Sequence, residues 1–324
     1  MSHRLTARSI DHVIIERGEA GESWRRRRKT LRLLTPNWQT RLPGLAYTGT
    51  DPDGYMAMPD VAEFVQAYAA RIDAPLRTAT TVTHLRAIDA GDPSRGYEIT
   101  TDRGVWTCST VVLANGTNSL PVVPSIASDL PPGIASLTHD SYRCPDQLDE
   151  RGVLVVGASA SGAQLADEIR GSGRAVTVAV GEHVRMPRRY RGRDIFWWLD
   201  ASGVFDERHD EVDDLVRARH LPSPQLVGAA DGRSVELNAL VDRGVRLAGR
   251  FAGIHDGTFR FSGGLANVCT LADLKANRLL TTLDAWAAAH HLDDLAPPER
   301  LKPTVLPARP PLELPVHEIG TVIW

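Results

Sequence analysis

Cysteine is scarce. The 324 residues include three, Cys108, Cys144 and Cys269, far apart and in no C-x-x-C arrangement. That argues against a disulfide framework or a thiolate metal site and fits a reducing compartment. No apolar stretch approaches the roughly 20 residues that cross a bilayer. The first eight residues lack the apolar core of a secretory signal. A soluble, cytoplasmic chain without a membrane partner is expected. An excess of charge is lacking too: the formal net charge is −3, which gives no reason to expect nucleic acid. The eleven histidines form no H-x-x-x-H or H-E-x-x-H, so no metal is expected. No catalytic triad or carboxylate pair stands out.

What remains is ordinary globular material, 42% hydrophobic and 24% charged, long enough for two domains. One stretch organises it. Gly152–Val156 is a short apolar run that reads as a buried parallel strand. A small-residue turn follows, Gly157-Ala158-Ser159-Ala160-Ser161-Gly162. Ala163, Leu165, Ala166 and Ile169 then recur at helical spacing. Strand, glycine turn and helix open a dinucleotide-binding βαβ unit, with Val176–Val180 as its second strand. The helix start presents unpaired N–H groups and positive dipole to a diphosphate. Ser159 stands where G-x-G-x-x-G has its second glycine. The rival nucleophile elbow, G-x-S-x-G, fails because Ser161 occupies its fifth position.

The rest of the chain is placed around this unit. Ser2–Ser9 reads as the tail of an amphipathic helix, and Asp11–Ile15 as a strand ending in the acid Glu16. In a dinucleotide fold, such an acid takes adenosine ribose hydroxyls. The basic run 25–29 is either a solvated face or, through Trp24 and Arg25, one side of an anionic cofactor site. Met58 opens a helix to Arg71, with Asp60 as its expected N-cap. Strands are expected over 76–84, and a hairpin over 97–110 turning at Asp102–Gly104. Thr110–Ala114 reads as a buried strand ending at Gly116, and prolines from Pro121 to Pro132 mark a linker. The arginines after Val180, notably Arg185, Arg188 and Arg189, suggest a 2′-phosphate partner, hence NADP(H). Glu182 keeps NAD open. Ile195–Leu199 starts an aromatic helix, and 206–224 reads as surface. Gly244–Leu247 is a short parallel strand, and 251–261 a hairpin at Asp256-Gly257. A helix over 271–290 carries the stripe Leu274, Leu279, Leu280, Leu283 and Trp286. Residues 296–314 read as a proline-rich linker, and the last five as a barely formed strand.

In this order the segments 13–17, 23–25, 33–36, 111–116, 139–142, 153–162, 188–194 and 320–324 resemble the flavin-containing monooxygenase family, in its bacterial oxidoreductase branch. The resemblance spans essentially the whole chain. It implies an α/β fold with two Rossmann-like domains. Residues 1–145 and 300–324 would form an incomplete FAD-binding domain, and 146–299 an inserted NAD(P)-binding domain. It also implies a chemistry in which NADPH reduces FAD and O2 adds to give a flavin hydroperoxide. That species oxygenates a small nucleophilic or ketone substrate, so the cofactors carry the hard chemistry. Carried over by position, Glu16 would hold the FAD ribose. Trp24, Arg25, Thr35 and Asn37 would lie along the flavin, Asn37 as the catalytic candidate. Val82 would sit at the adenine, and Ala114 and Gly116 in the usual Ala-Thr-Gly position. Gly157, Ser159, Ala160, Ser161 and Gly162 would cradle the NADPH diphosphate, with Arg185, Arg188 and Arg189 near its 2′-phosphate.

The family's FAD diphosphate turn would precede Met1, and a closing flavin-facing segment would follow Trp324. The chain is therefore expected to be short at both ends, with FAD binding impaired. Two alternatives stand beside the monooxygenase: a non-catalytic NADP(H)-binding remnant, and a pyridine nucleotide-disulfide reductase, which needs a redox-active cysteine pair.

Overall fold

The computed structural model describes residues 1–116, 120–229, 231–292 and 295–324. The chain folds as two units, one of residues 1–31, 38–49 and 56–120, the other of 32–37, 50–55 and 121–324.

In the first unit, Ile14–Ile15 pairs in parallel with Leu76–Arg77. The helix Met58–Arg71 forms where expected and buries Met58, Val61 and Ala62. Its N-cap is Ala57, not Asp60. Pro59 fills an early position whose N–H would be unsatisfied anyway. Asp60 lies within the first turn, where its charge meets the positive end of the helix. Gly21 has φ +81°, and a Cβ there would stand 2.6 Å from the Ala62 carbonyl oxygen. Only glycine lets the short helix Glu22–Arg25 lie this close to the long one. The expected strand over 76–84 is broken at Ala79, which has φ 49°. Val82–Ala87, Tyr97–Thr101 and Gly104–Cys108 then form an antiparallel meander.

Thr110–Ala114 corrects the expectation of a buried strand. It joins no ladder among the described residues, and Val112 and Leu113 are 54% and 76% exposed. Apolar composition alone does not make a parallel strand. It needs a neighbour to take its N–H and C=O groups.

The second unit is built on a five-stranded parallel sheet: β1 (Ala135–Leu137), β2 (Gly152–Val156), β3 (Val176–Ala179), β4 (Arg246–Ala248) and β5 (Ile319–Ile323). The spatial order is β4-β3-β2-β5-β1. Val153 pairs with Val176 on one side of β2 and with Thr321 on the other. Val153, Leu154 and Val155 are fully buried because both faces of the sheet are covered, which is why β2 is a continuous apolar run. Helix α1 (Ala160–Gly171) joins β2 to β3 and buries Ala163, Leu165, Ala166 and Ile169. After β4 come the hairpin Phe251–His255 and Thr258–Phe261, then the long helix α2 (Leu265–Ala289).

Three further expectations give way here. The C-terminal strand is well formed, with all five residues of β5 buried beside β2. Residues 319–323 therefore belong to this sheet and not to the first unit. The proline-rich stretch is not a bare linker: Glu313–Pro315 adds a third strand to the hairpin sheet, and Leu314 is buried. Helix α2 starts earlier, and its buried face runs through Leu265, Cys269, Ala272, Ala276, Leu280, Leu283 and Ala287. Small residues let the helix pack closely, and the expected Leu274 points outward at 47% exposure. Trp198 anchors a neighbouring aromatic cluster. It is fully buried, donates its indole N–H to the Tyr190 carbonyl at 2.8 Å, and meets Trp197 edge-on at 5.1 Å.

This geometry separates two leucines on one helix. Leu283→Ala should cost about 2–5 kcal/mol, and Leu274→Ala under about 1 kcal/mol, in urea unfolding followed by tryptophan fluorescence. Equal losses would mean that the helix face is assigned wrongly.

Candidate functional site

The fingerprint turn sits where the sheet order reverses. From β2 the chain runs through β3 to β4 on one side, and β5 lies on the other. In open α/β sheets, ligands bind in the crevice at the carboxyl ends of the strands at such a switch point. Gly157 ends β2 with φ +107°, a conformation for which glycine is suited. A Cβ on Gly162 would collide with the Gly157 carbonyl oxygen. Both fingerprint glycines are thus required by backbone geometry. They bring the first turn of α1 against the end of the strand.

Ser159 is the N-cap of α1, and its hydroxyl caps no backbone N–H. Ala160 is buried, and Ser161 is exposed. The first amide taken up by the helix ladder is that of Ala163, which donates to the Ser159 carbonyl at 2.9 Å. The turn is braced from a distance. Gln225, 1% exposed, donates to the Ala158 carbonyl at 2.6 Å. Gln164 of α1 donates to the Leu226 carbonyl at 3.0 Å. Sequence reasoning missed these two glutamines, because the first bond joins residues 67 positions apart.

The arginine block plays a different part from the one expected. Arg189–Tyr190 and Arg193–Asp194 form a hairpin. Its two-residue loop, Arg191-Gly192, has φ 46° and 81°, the pattern of the primed turns that suit hairpin twist. The hairpin brings Asp194 back to Arg188. Nε and Nη2 of Arg188 donate to the Asp194 carboxylate at 2.6–2.8 Å, and Nη1 donates to the Leu34 carbonyl at 2.7 Å. Tyr55 donates its hydroxyl to the same carboxylate at 2.7 Å. The Arg188 guanidinium also lies 4.6 Å from the Tyr55 ring centre. Burial and the adjacent Asp194 push the Tyr55 hydroxyl well above its ordinary pKa. Arg185 is likewise buried, paired with Glu236 and Asp273. The expectation that Arg185 and Arg188 face a 2′-phosphate is therefore corrected: their guanidinium groups are spent on internal carboxylates. Arg189 is exposed.

The residues expected along FAD divide between the units. Glu16, Trp24, Arg25, Val82, Ala114 and Gly116 lie in the first; Thr35 and Asn37 lie in the second. Glu16 follows the strand Ile14–Ile15, shorter than the expected 11–15, and accepts from the Gly18 amide at 2.8 Å. Trp24 is half-buried. Arg25 donates to Gln66 at 2.8 Å. Val82 is 46% exposed. Ala114 and Gly116 are exposed. Thr35 is half-buried. Asn37 is buried, donates Nδ2–H to the Asp51 carbonyl at 2.8 Å, and leaves Oδ1 with no partner among the described residues. Among the described residues no cluster could hold a metal ion, and no helix is long and apolar enough to cross a membrane.

A parallel sheet with a glycine turn at its switch point defines a protein of the doubly wound, dinucleotide-binding type. The family model for pyridine nucleotide-disulphide oxidoreductases matches residues 1–193, more than half of the chain, and the chain belongs to that family. An uncharacterized CzcO-like oxidoreductase of Geobacillus kaustophilus is 33% identical over 208 residues, 64% of this chain and 58% of that protein. The match thus spans under two thirds of the relative's length. Among solved structures, a flavin-containing monooxygenase from Stenotrophomonas maltophilia aligns over 77% of this chain and 73% of its own, with 16% identity and a TM-score of 0.52. The bacillithiol disulfide reductase of Bacillus cereus aligns over 81% and 67%, with 13% identity and a TM-score of 0.53. The expected likeness to flavin-containing monooxygenases is borne out in the fold.

Two outcomes follow from the buried charges. Arg188→Met strands Asp194 and should cost about 3–5 kcal/mol, whereas pairing it with Asp194→Leu should recover part of the loss; urea midpoints measure both. His183, 2% exposed, bonds the Gly181 carbonyl through Nδ1 at 3.0 Å. Burial lowers its pKa. The unfolded chain therefore binds this proton more readily than the fold does, so stability falls as pH drops through about 6.5. His183→Gln should flatten the decline in urea midpoint between about pH 8 and pH 5. An unchanged slope would remove His183 from the acid response.

Proposed function

We propose that the chain is the nucleotide-binding part of an FAD- and NADPH-dependent oxidoreductase of the monooxygenase type, acting on a small molecule with O2. The observation that carries this is the Gly157–Gly162 turn, with its positive-φ glycine and its packed third glycine, at the switch point of the sheet. Gly157 supplies a positive φ that a side chain disfavours, and a Cβ at Gly162 would strike the Gly157 carbonyl oxygen, so the residues present fit a diphosphate. Gly157, Ser159, Ala160, Ser161 and Gly162 would hold it against the start of α1, where backbone amides and helix dipole favour an anion. Gln225 keeps the turn in place through the Ala158 carbonyl.

For FAD, the orphaned Oδ1 of buried Asn37 offers an acceptor suited to an N–H donor. On the family resemblance, Glu16 would take ribose hydroxyls, with Trp24, Arg25, Val82, Ala114 and Gly116 of the same unit around the cofactor. When bound, the nicotinamide and flavin supply hydride transfer and activation of O2. The protein's own task is to position the two groups and to keep water from the reacting atoms. The names of the relatives and structural neighbours, oxidoreductases and monooxygenases, support this reading. The disulfide-reductase alternative needs a redox-active cysteine pair, and these 324 residues hold no C-x-x-C; Cys269 is buried, its thiol pushed up to about 11 by burial and by Asp273. The second reading is a nucleotide-binding chain that holds no flavin, and the unpaired, exposed segment Thr110–Ala114 favours it.

NADPH at a hundred times its Kd should stabilise the protein by about 2.7 kcal/mol, seen as a raised Tm. Gly157→Val should abolish the shift. So should Ser161→Glu, which preserves the fold because an acid suits a helix start, yet repels a diphosphate. An undiminished shift in Ser161→Glu would overturn the placement of the nucleotide. Flavin absorption in the purified protein, or after addition of FAD, separates the enzyme from the flavin-free reading.

A further inference from the structure

We propose that the 2′-phosphate of the nucleotide is read by Arg250 and Lys275, with Glu182 neutralised by Lys275, and not by the arginine block at 185–189. The inference rests on the nucleotide reading of the Gly157 turn.

With the diphosphate on the turn after β2, the adenosine ribose of a doubly wound fold lies toward the carboxyl end of the next strand, here β3. That end is followed by Val180, Gly181 and Glu182. The Val180 amide donates to the Ala248 carbonyl at 2.9 Å, which holds the ends of β3 and β4 side by side. Gly181 has no side chain, and the Arg250 stem runs alongside: a Cβ at 181 would lie 4.0 Å from Arg250 Cγ. Arg250 is exposed, and its guanidinium makes no ion pair among the described residues. It contrasts with Arg185, Arg188 and Arg191, which are paired with Glu236, Asp273, Asp194 and Asp284.

From α2, Lys275 Nζ reaches Glu182 Oε1 at 3.2 Å. An acid in this position ordinarily selects a free 2′-hydroxyl, and so favours NAD. Left alone, Glu182 would repel a 2′-phosphate. Lys275 cancels that charge, and Arg250 then leaves the corner net positive. The Glu182–Lys275 pair is solvent-accessible, and such pairs are worth little, so Lys275 can turn to a phosphate at small cost. Lys275 is thus the residue that converts an NAD-type acid into an NADP-compatible corner.

The test is titration calorimetry of the full chain with NADPH and, separately, with NADH. Wild-type protein should prefer NADPH. Lys275→Met and Arg250→Met should each weaken NADPH binding about tenfold and leave NADH within about twofold, as expected for one charge-assisted contact. Glu182→Gln should strengthen NADPH binding. All three positions are at the surface, so folding is not at stake. If the preference is unchanged in these variants, or is lost in Arg189→Met instead, the inference is overturned. If wild-type protein binds NADH alone, or both nucleotides equally, the turn keeps its role and the 2′-phosphate assignment fails. If it binds neither, the nucleotide reading itself falls, and this inference with it.

Discussion

Everything in the second unit is arranged around one close approach. The start of α1 lies so near the end of β2 that position 162 has no room for a side chain beside the Gly157 carbonyl. This contact aims the free amides of the helix into the crevice at the sheet's reversal. It depends on β5 standing on the far side of β2, since a reversal needs strands on both sides. It depends also on Gln225, a buried polar side chain whose amide grips the carbonyl of Ala158. A buried hydrogen bond of this kind is costly to leave unmade, so the brace and the turn stand or fall together.

The arginine-rich hairpin illustrates how charge in a sequence differs from charge in a fold. Five arginines behind a nucleotide-binding strand look like a phosphate site. In the fold, Arg188 and Arg185 are desolvated and matched to carboxylates, and Arg188 ties Asp194, Tyr55 and the Leu34 carbonyl into one node. A guanidinium stripped of water needs several acceptors at once, and it has found them inside the protein. That node gives the residues around 33–37 and 50–55 a place in the second unit. Asn37 therefore sits in a unit other than that of Glu16 and Trp24.

Local pattern made much of the architecture legible. The run Gly152–Val156, the helix Met58–Arg71 and the hairpin at Asp256-Gly257 could be read directly, because each depends on neighbours a few positions away. The same holds for the two fingerprint glycines, whose need is set by backbone geometry at the turn itself. Pattern misled where the deciding partner is distant. Thr110–Ala114 has strand composition and no strand beside it. Leu274 has the hydrophobicity of a core residue and faces outward, because small residues such as Ala272 and Ala276 form the packed seam.

From its sequence alone, then, the protein was bound to be an α/β chain with a nucleotide-type turn after an apolar strand. Strand propensity, glycine freedom and helical spacing are local properties. Only the tertiary structure decided that the final strand lies beside β2, that Arg185 and Arg188 point inward, that Lys275 reaches Glu182 and that the Arg250 stem runs beside Gly181. Those outcomes are set by which surfaces must exclude water together and which charges must find partners once they do. Residues separated by dozens of positions settle both questions at once.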